Sequence, residues 1–330
     1  MEARPRRAGG RRKLLGAAVS SGRARLAAGL VEADFGNLYR VVRKLERAGA
    51  DRLHLDVMDG HFVPQLTFGP DVVRALRRLT RLPLDVHLLC DRPSTLVEPL
   101  IAAGADSITL HVEAVESAED LRASLARVRR AGLAPGLAAN PGTPVAALSP
   151  FADLLDIALV LLADPAEPGQ RLRRELAGKV TDARQVFASR PHGWEIHVEG
   201  GVGRDTAEIV GGFGADILIV GSALFERGHD IAREIRLVKA LADEGWTREI
   251  GRGEAPIPRE AWSVVATLAH PDADVLSRTI ERAGIPTLVL RTGPYVPGVD
   301  ADRVVMVPAS AEVVTRKRFG LGFAEEDEVL

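Results

Sequence analysis

Ala48-Gly49-Ala50-Asp51-Arg52-Leu53-His54-Leu55-Asp56-Val57 reads as the last turn of a helix, a glycine bend and a strand. The same bend recurs in Ala103-Gly104-Ala105-Asp106 and, with a different first residue, in Phe213-Gly214-Ala215-Asp216. In each, glycine follows a helix and supplies the left-handed cap that turns the chain into the next strand. Outward from these bends, short apolar runs alternate with amphipathic stretches. Strands are expected at 26–33, 52–57, 82–89, 107–112, 134–139, 157–162, 195–198 and 216–220. Helices are expected at 37–48, 70–78, 94–103, 118–131, just after Pro144, and at 170–189, 206–213 and 230–242. Eight strand-then-helix units in sequence imply a parallel sheet with crossover helices, and eight suit a closed (β/α)8 TIM barrel of the α/β class.

The 330 residues exceed one ordinary domain, but barrels of about 250 residues are a recognised exception. The chain therefore divides into a basic, solvated arm at 1–22, the barrel at 23–245, and a linker with a small C-terminal α/β appendage at 246–330. Arg4, Arg6, Arg7, Arg11, Arg12 and Lys13 make the arm basic, and its apolar patch is too short to span a membrane. Gly251, Gly253, Pro256 and Pro258 mark the linker. Beyond it, strands are expected at 263–268, 286–290 and 303–307 around a helix at 275–283, with Asp272 as that helix's cap rather than a metal ligand. With 43 basic and 45 acidic residues the net charge is −2, so no global field points to nucleic acid or a membrane. The single cysteine, Cys90, rules out an internal disulfide and fits a cytoplasmic protein; with no activating pair beside it, it reads as a small hydrophobe.

Within this frame the chemistry gathers at strand ends. His54 and Asp56 stand two residues apart on a strand, so their side chains share a face and can close on one cation. His87, in Leu84-Asp85-Val86-His87-Leu88-Leu89, and Glu199, in His197-Val198-Glu199-Gly200-Gly201-Val202, end similar runs. Two imidazoles and two carboxylates on separate strands make a divalent-metal site. His197 shares the face of Glu199 and is open to three readings: a further ligand, a proton carrier, or a packed core histidine.

The motifs Ala33-Asp34-Phe35, His54 to Pro64, Asp85-Val86-His87-Leu88, His111-Val112-Glu113-Ala114, Asn140-Pro141-Gly142-Thr143-Pro144, Gly200-Gly201-Val202 and Gly221-Ser222-Ala223 resemble the ribulose-phosphate 3-epimerase family over about 26–227. The resemblance implies a metal-dependent epimerase of a ketose phosphate, working through an enediolate. It maps the ligands of Zn²⁺, Fe²⁺, Mn²⁺ or Co²⁺ onto His54, Asp56, His87 and Glu199, and the acid/base pair onto Asp56 and Glu199. It also implies substrate and phosphate contacts at His87, Gly169, Gly200, Gly201, Gly221 and Ser222, a cushion for the intermediate at Met58, and a homo-oligomeric assembly whose partner is a small sugar phosphate.

Several positions depart from that pattern. Glu199 stands where the family has Asp, which shifts the carboxylate by about 1 Å, and misplacement on that scale can cost about a hundredfold in rate. Gly29 replaces a Ser, and Leu89 and Leu161 replace methionines. The family's Gly-rich lid becomes Asp164-Pro165-Ala166-Glu167-Pro168-Gly169-Gln170, which adds two acids. These changes keep a second reading open, a divergent isomerase or lyase acting on another sugar or sugar phosphate. A third reading, a barrel without catalysis that serves as a scaffold, predicts no bound metal.

Overall fold

The computed structural model describes residues 24–249 apart from 115, 168–169, 188–193 and 227, together with the backbone of five short strands between 262 and 329. The chain divides after Thr247 into two compact units. In the first, Gly49, Gly104 and Gly214 take φ of 87°, 102° and 99°, the left-handed caps expected of them. The aspartate that follows each bend has its own task. Asp51, Asp106 and Asp216 each accept a hydrogen bond from the first backbone amides of the preceding strand, at Leu26, Leu84 and Ile196 respectively, over 2.8–2.9 Å. Each is also paired with a cation, Lys239, Arg77 and Arg184 in turn. The repeated motif thus ties three pairs of neighbouring strands at the end of the barrel where strands begin.

The strands are β1 (Arg25–Gly29), β2 (Arg52–Met58), β3 (Leu84–Leu89), β4 (Ser107–His111), β5 (Ala134–Ala139), β6 (Ile157–Leu161), β7 (Glu195–Glu199) and β8 (Ile217–Val220), closed into one parallel barrel. Between them run α1 (Leu38–Ala48), α2 (Pro70–Leu79), α3 (Ser94–Ala103), α4 (Ala118–Arg130), α5 (Gly178–Val186) and α6 (Ala207–Gly212), and after β8 come α7 (Ser222–Phe225) and α8 (Ile231–Glu249). A 3-10 helix, Val145–Phe151, crosses from β5 to β6 because Pro144 and Pro150 deny it a full α-helical ladder. The helix expected over 170–189 is shorter: a 3-10 turn at Arg174–Leu176 precedes α5, and 188–189 lie outside the described residues. Strand β1 ends at Gly29 rather than at 33, because the chain turns where Ala33 N donates to Leu30 O at 3.1 Å.

The strands are buried on both faces, yet the two faces differ in chemistry. Leu53, Leu55, Val57, Leu84, Val86, Leu88, Ile108, Leu110, Ile196 and Val198 point outward into the aliphatic layer beneath the helices. The barrel interior mixes two kinds of residue. Strands β1, β5, β6 and β8 contribute the apolar Ala27, Ala138, Leu159, Leu161, Ile217 and Ile219. Strands β2, β3, β4 and β7 contribute buried Arg52, His54, Asp56, Asp85, His87, His111, Glu195 and His197. Buried charges persist only when paired, and these form a ladder. Glu195 binds Arg25 at 2.6 Å and Arg52 at 3.1 Å at one end, and His197 bridges Glu195 to Asp85 at 3.1 and 3.3 Å.

In the second unit, Trp262–Ser263, Leu288–Leu290 and Val305–Pro308 form an antiparallel three-stranded sheet with the last strand in the middle, and Val314–Thr315 pairs with Glu328–Val329. Of the three strands expected there, the observed ones share Ser263, Leu288–Leu290 and 305–307, and the last two observed strands fall outside all three. The arm at 1–22, the helix expected at 275–283, and Asp272 lie outside the described residues. Among the described residues no helix is long and apolar enough to cross a membrane.

Candidate metal centre

The top of the charged ladder is where the metal ligands were expected. His54 and Asp56 project inward from β2, His87 from β3 and Glu199 from the end of β7. The register sets Asp56 directly beside His87. One ligating atom from each of the four lies within 4.8 Å of the others. His54 Nε2 is 3.2 Å from Asp56 Oδ1 and 3.6 Å from Glu199 Oε2, while His87 Nδ1 is 2.9 Å and 3.3 Å from the same oxygens. For a tetrahedral ion with ligand bonds near 2 Å the expected separation is roughly 3.3 Å, so these four edges fit a cation with little movement. Glu199 Oε2 is buried between the two imidazoles, 3.6 Å from His54 Nε2 and 3.3 Å from His87 Nδ1, positioned to ligate.

The charges agree with that fit. Burial opposes the charged form of every member. The Asp56 and Glu199 carboxylates outweigh it and hold His54 well above the ordinary histidine range. His87 is raised as well, against the same burial, by its bonds to the two carboxylates. In turn the two imidazoles hold Asp56 well below the usual carboxylate range. Glu199 is pushed up by burial and by Asp56, and the facing imidazoles still bring it below the usual range. A divalent ion would replace the imidazole protons as the counter-charge of two acids, so binding releases protons.

Each imidazole is oriented from behind. His54 Nδ1 lies 3.0 Å from Asp85 Oδ2, and Asp85 is itself held by Ser107 Oγ and by His197. A proton shared with Asp85 leaves His54 Nε2 with its lone pair facing the centre. His87 is oriented through a longer chain. Its Nε2 is 2.8 Å from His111 Nε2, and His111 Nδ1 is 3.0 Å from Glu113 Oε2. Burial drives His111 down to about 4, so it carries one proton at neutral pH. Glu113, held down to about 2 against burial by its bond from His111, can only accept. His111 must therefore donate to Glu113, His87 must donate Nε2–H to His111, and His87 Nδ1 is left to ligate. Replacing His111 by Phe strands that donor. Zn²⁺ or Co²⁺ affinity is expected to fall about 10- to 100-fold, read by titration against unchanged circular dichroism; affinity within twofold of wild type would contradict this account.

A cavity of about 140 Å³ opens above the centre. Asp56 and Glu199 form its floor, Met58, Leu89 and Leu161 an apolar wall, and Gly200, Gly201, Gly221 and Ser222 the rim of the β7 and β8 loops. His87 lies beneath the floor, fully buried. Gly169 lies outside the described residues. The glycine pair after β7 also has a packing reason: a Cβ on Gly200 would stand 2.4 Å from Ala163 N, and one on Gly201 2.2 Å from Leu172 N. The acids of the lid are occupied within it. Asp164 accepts from Ala166 N at 2.9 Å, Glu167 accepts from Gln170 Nε2, and Gln65 Nε2 on the β2 loop donates to Ala166 O at 2.9 Å.

The sequence profile of the ribulose-phosphate 3 epimerase family matches residues 25–225, the whole barrel wall together with this centre. The chain belongs to that family. A ribulose-phosphate 3-epimerase of Treponema pallidum is 42% identical over 200 residues, 61% of this chain and 90% of that protein. The Bacillus subtilis ribulose-phosphate 3-epimerase is 35% identical over 202 residues, 61% of this chain and 92% of its own. A solved structure titled KGPDC from Streptococcus mutans in complex with D-R5P shares the fold with a TM-score of 0.55 at 16% identity, over 68% of this chain and 99% of that one. Membership makes the chain an epimerase of the isomerase class.

Among the site's members, Asp85, His111 and Glu113 received no role from sequence, although the signal was present. Asp85 and His87, His111 and Glu113, and His197 and Glu199 repeat the two-residue spacing of His54 and Asp56, which marks inward faces of neighbouring strands. His197 stands outside the group of four: buried, it lies between Asp85 and Glu195, with Nδ1 3.3 Å from Asp85 Oδ2 and Nε2 3.1 Å from Glu195 Oε2. Cys90 is inert, its thiol donating to Val57 O at 3.2 Å and pushed up to about 12 by burial.

Proposed function

We propose that this epimerase is metal-dependent and inverts C3 of a ketose of the ribulose 5-phosphate type through an enediolate. The observation that supports this is the convergence of four ligating atoms within 4.8 Å on the floor of a cavity rimmed by glycine turns. His54, Asp56, His87 and Glu199 would hold Zn²⁺, Fe²⁺, Mn²⁺ or Co²⁺. Such an ion supplies the positive charge that makes a C–H bond beside a ketone acidic. The protein's own part is to place acids and bases. Inversion needs one on each face of a planar intermediate, and Asp56 and Glu199 arrive from strands separated around the ring by β1 and β8. One takes the C3 proton and the other returns one from the opposite side. Met58, Leu89 and Leu161 keep water from the planar intermediate, and the turns at Gly200–Gly201 and Gly221–Ser222 receive the distal end of the sugar, as the β7 and β8 loops of barrels do for phosphates.

The test is solvent exchange. Protein loaded with Mn²⁺ or Zn²⁺ in D₂O should place deuterium at C3 of ribulose 5-phosphate or a ketohexose 6-phosphate, and no uptake across these substrates would overturn the reading. Glu199 in place of Asp, and Gly29 at the cavity wall, favour a second reading, a divergent isomerase or lyase on another sugar. A product other than the C3 epimer in the same spectra would decide for it.

A further inference from the structure

Glu32 has no part in the chemistry described so far, yet its carboxylate reaches into the same cavity. It sits in the turn that ends β1, and its Oε2 lies 2.5 Å from the point where a Cβ on Gly221 would stand. The carboxylate thus covers the face of the β8 turn, where a terminal phosphate would approach the backbone. The cavity lining contains no Lys, Arg or His among the described residues to offset it. Asp164 and Glu167 also line the mouth, bonded to amides of the lid, and Glu32 is the carboxylate set directly against the Gly221 turn. Glu32 is exposed as a whole residue; the partial desolvation of its carboxylate, opposed by its own backbone amide and reinforced by Asp56 and Glu199, raises its carboxyl above the usual range.

We propose that Glu32 is a specificity-determining residue that disfavours a dianionic group at the Gly221–Ser222 turn, shifting the site's preference from ketose phosphates toward ketoses that end in a neutral hydroxyl. The inference rests on the epimerase reading of this cavity and narrows its substrate. Like charges a few ångströms apart in a partly desolvated site oppose each other by an order of magnitude or more in binding.

The experiment compares kcat/KM for C3 deuterium exchange of D-ribulose 5-phosphate and D-ribulose, using the full metal-loaded chain at mildly alkaline pH. Removing the charge in Glu32→Gln should raise the ratio of ester to free ketose about tenfold or more, whereas Glu32→Asp, which keeps it, should stay within about threefold of wild type. In parallel, inorganic phosphate titrated calorimetrically into the metal-free protein should bind about tenfold more tightly to Glu32→Gln. An ester-to-free ratio within about twofold of wild type in Glu32→Gln, or equal phosphate binding by the two proteins, overturns the proposal. Absence of exchange with both ketoses in every protein overturns the epimerase reading instead, and the phosphate titration then decides the role of Glu32 by itself.

Discussion

Asp56→Asn is expected to lower C3 hydrogen exchange by about a thousandfold, within the range of about 10² to 10⁴ that loss of a positioned acid or base produces. The size follows from how much meets at one atom. Asp56 Oδ1 faces His54 at 3.2 Å and His87 at 2.9 Å, so the substitution removes the counter-charge of both imidazoles together with the ligand and the proton acceptor proposed for that atom. An amide is a weaker ligand and presents an NH₂ group where a carboxylate oxygen is needed. Rapid-quench exchange measured at saturating metal separates the proton-transfer defect from weakened metal binding, and a Co²⁺ titration reads the latter. A rate within tenfold of wild type at saturating metal would exclude Asp56 as the acid or base.

Glu195→Ala is expected to destabilise the barrel by about 3–5 kcal/mol, the cost of breaking a buried ion pair from one side. Glu195 accepts from Arg25, Arg52 and His197 deep in the barrel, and its loss leaves Arg52, only 2% exposed, facing an emptied pocket. The pH dependence carries the same signature. Burial would raise Glu195, but Arg52, His197 and Arg25 hold its folded-state value down to about 2. Because the folded value is below the unfolded one, the stabilisation is fully present above the unfolded carboxylate range, near 4.3, and is lost as pH falls toward 2. Urea unfolding from neutral to acidic pH should therefore show a loss of stability in the wild type that Glu195→Ala lacks in part. An equal slope in both proteins would mean that Glu195 is not held down in the fold.

The ladder that Glu195 anchors also explains what could be read in advance. Barrel order was legible because each βα unit is a local event: a period-two run, a glycine cap, an amphipathic helix. Gly49, Gly104 and Gly214 adopt the expected positive φ, and the strand at 134–139 and the helix at 94–103 have the expected bounds. The site was partly legible for the same reason, since His54 and Asp56 share a face by covalent spacing alone. Glu32 was not. Its neighbour Gly221 is 189 residues away in the chain, and only closure of β1 against β8 brings them together. How the acidic lid lies over the mouth was not legible either, because hydrogen bonds such as Gln65 to Ala166 depend on how two loops pack.

Local covalent geometry, then, already determined the alternation of strands and helices, the inward face on which His54 and Asp56 stand, and the family to which their motifs point. Tertiary structure alone decided that His87 and Glu199 meet them around one point, that His111 and Glu113 set the tautomer of His87, and that Glu32 overhangs the β8 turn. The physical reason is range. Backbone sterics and side-chain periodicity act over a few residues, whereas charge pairing in a buried interior depends on distances that exist only once eight strands have closed into a ring.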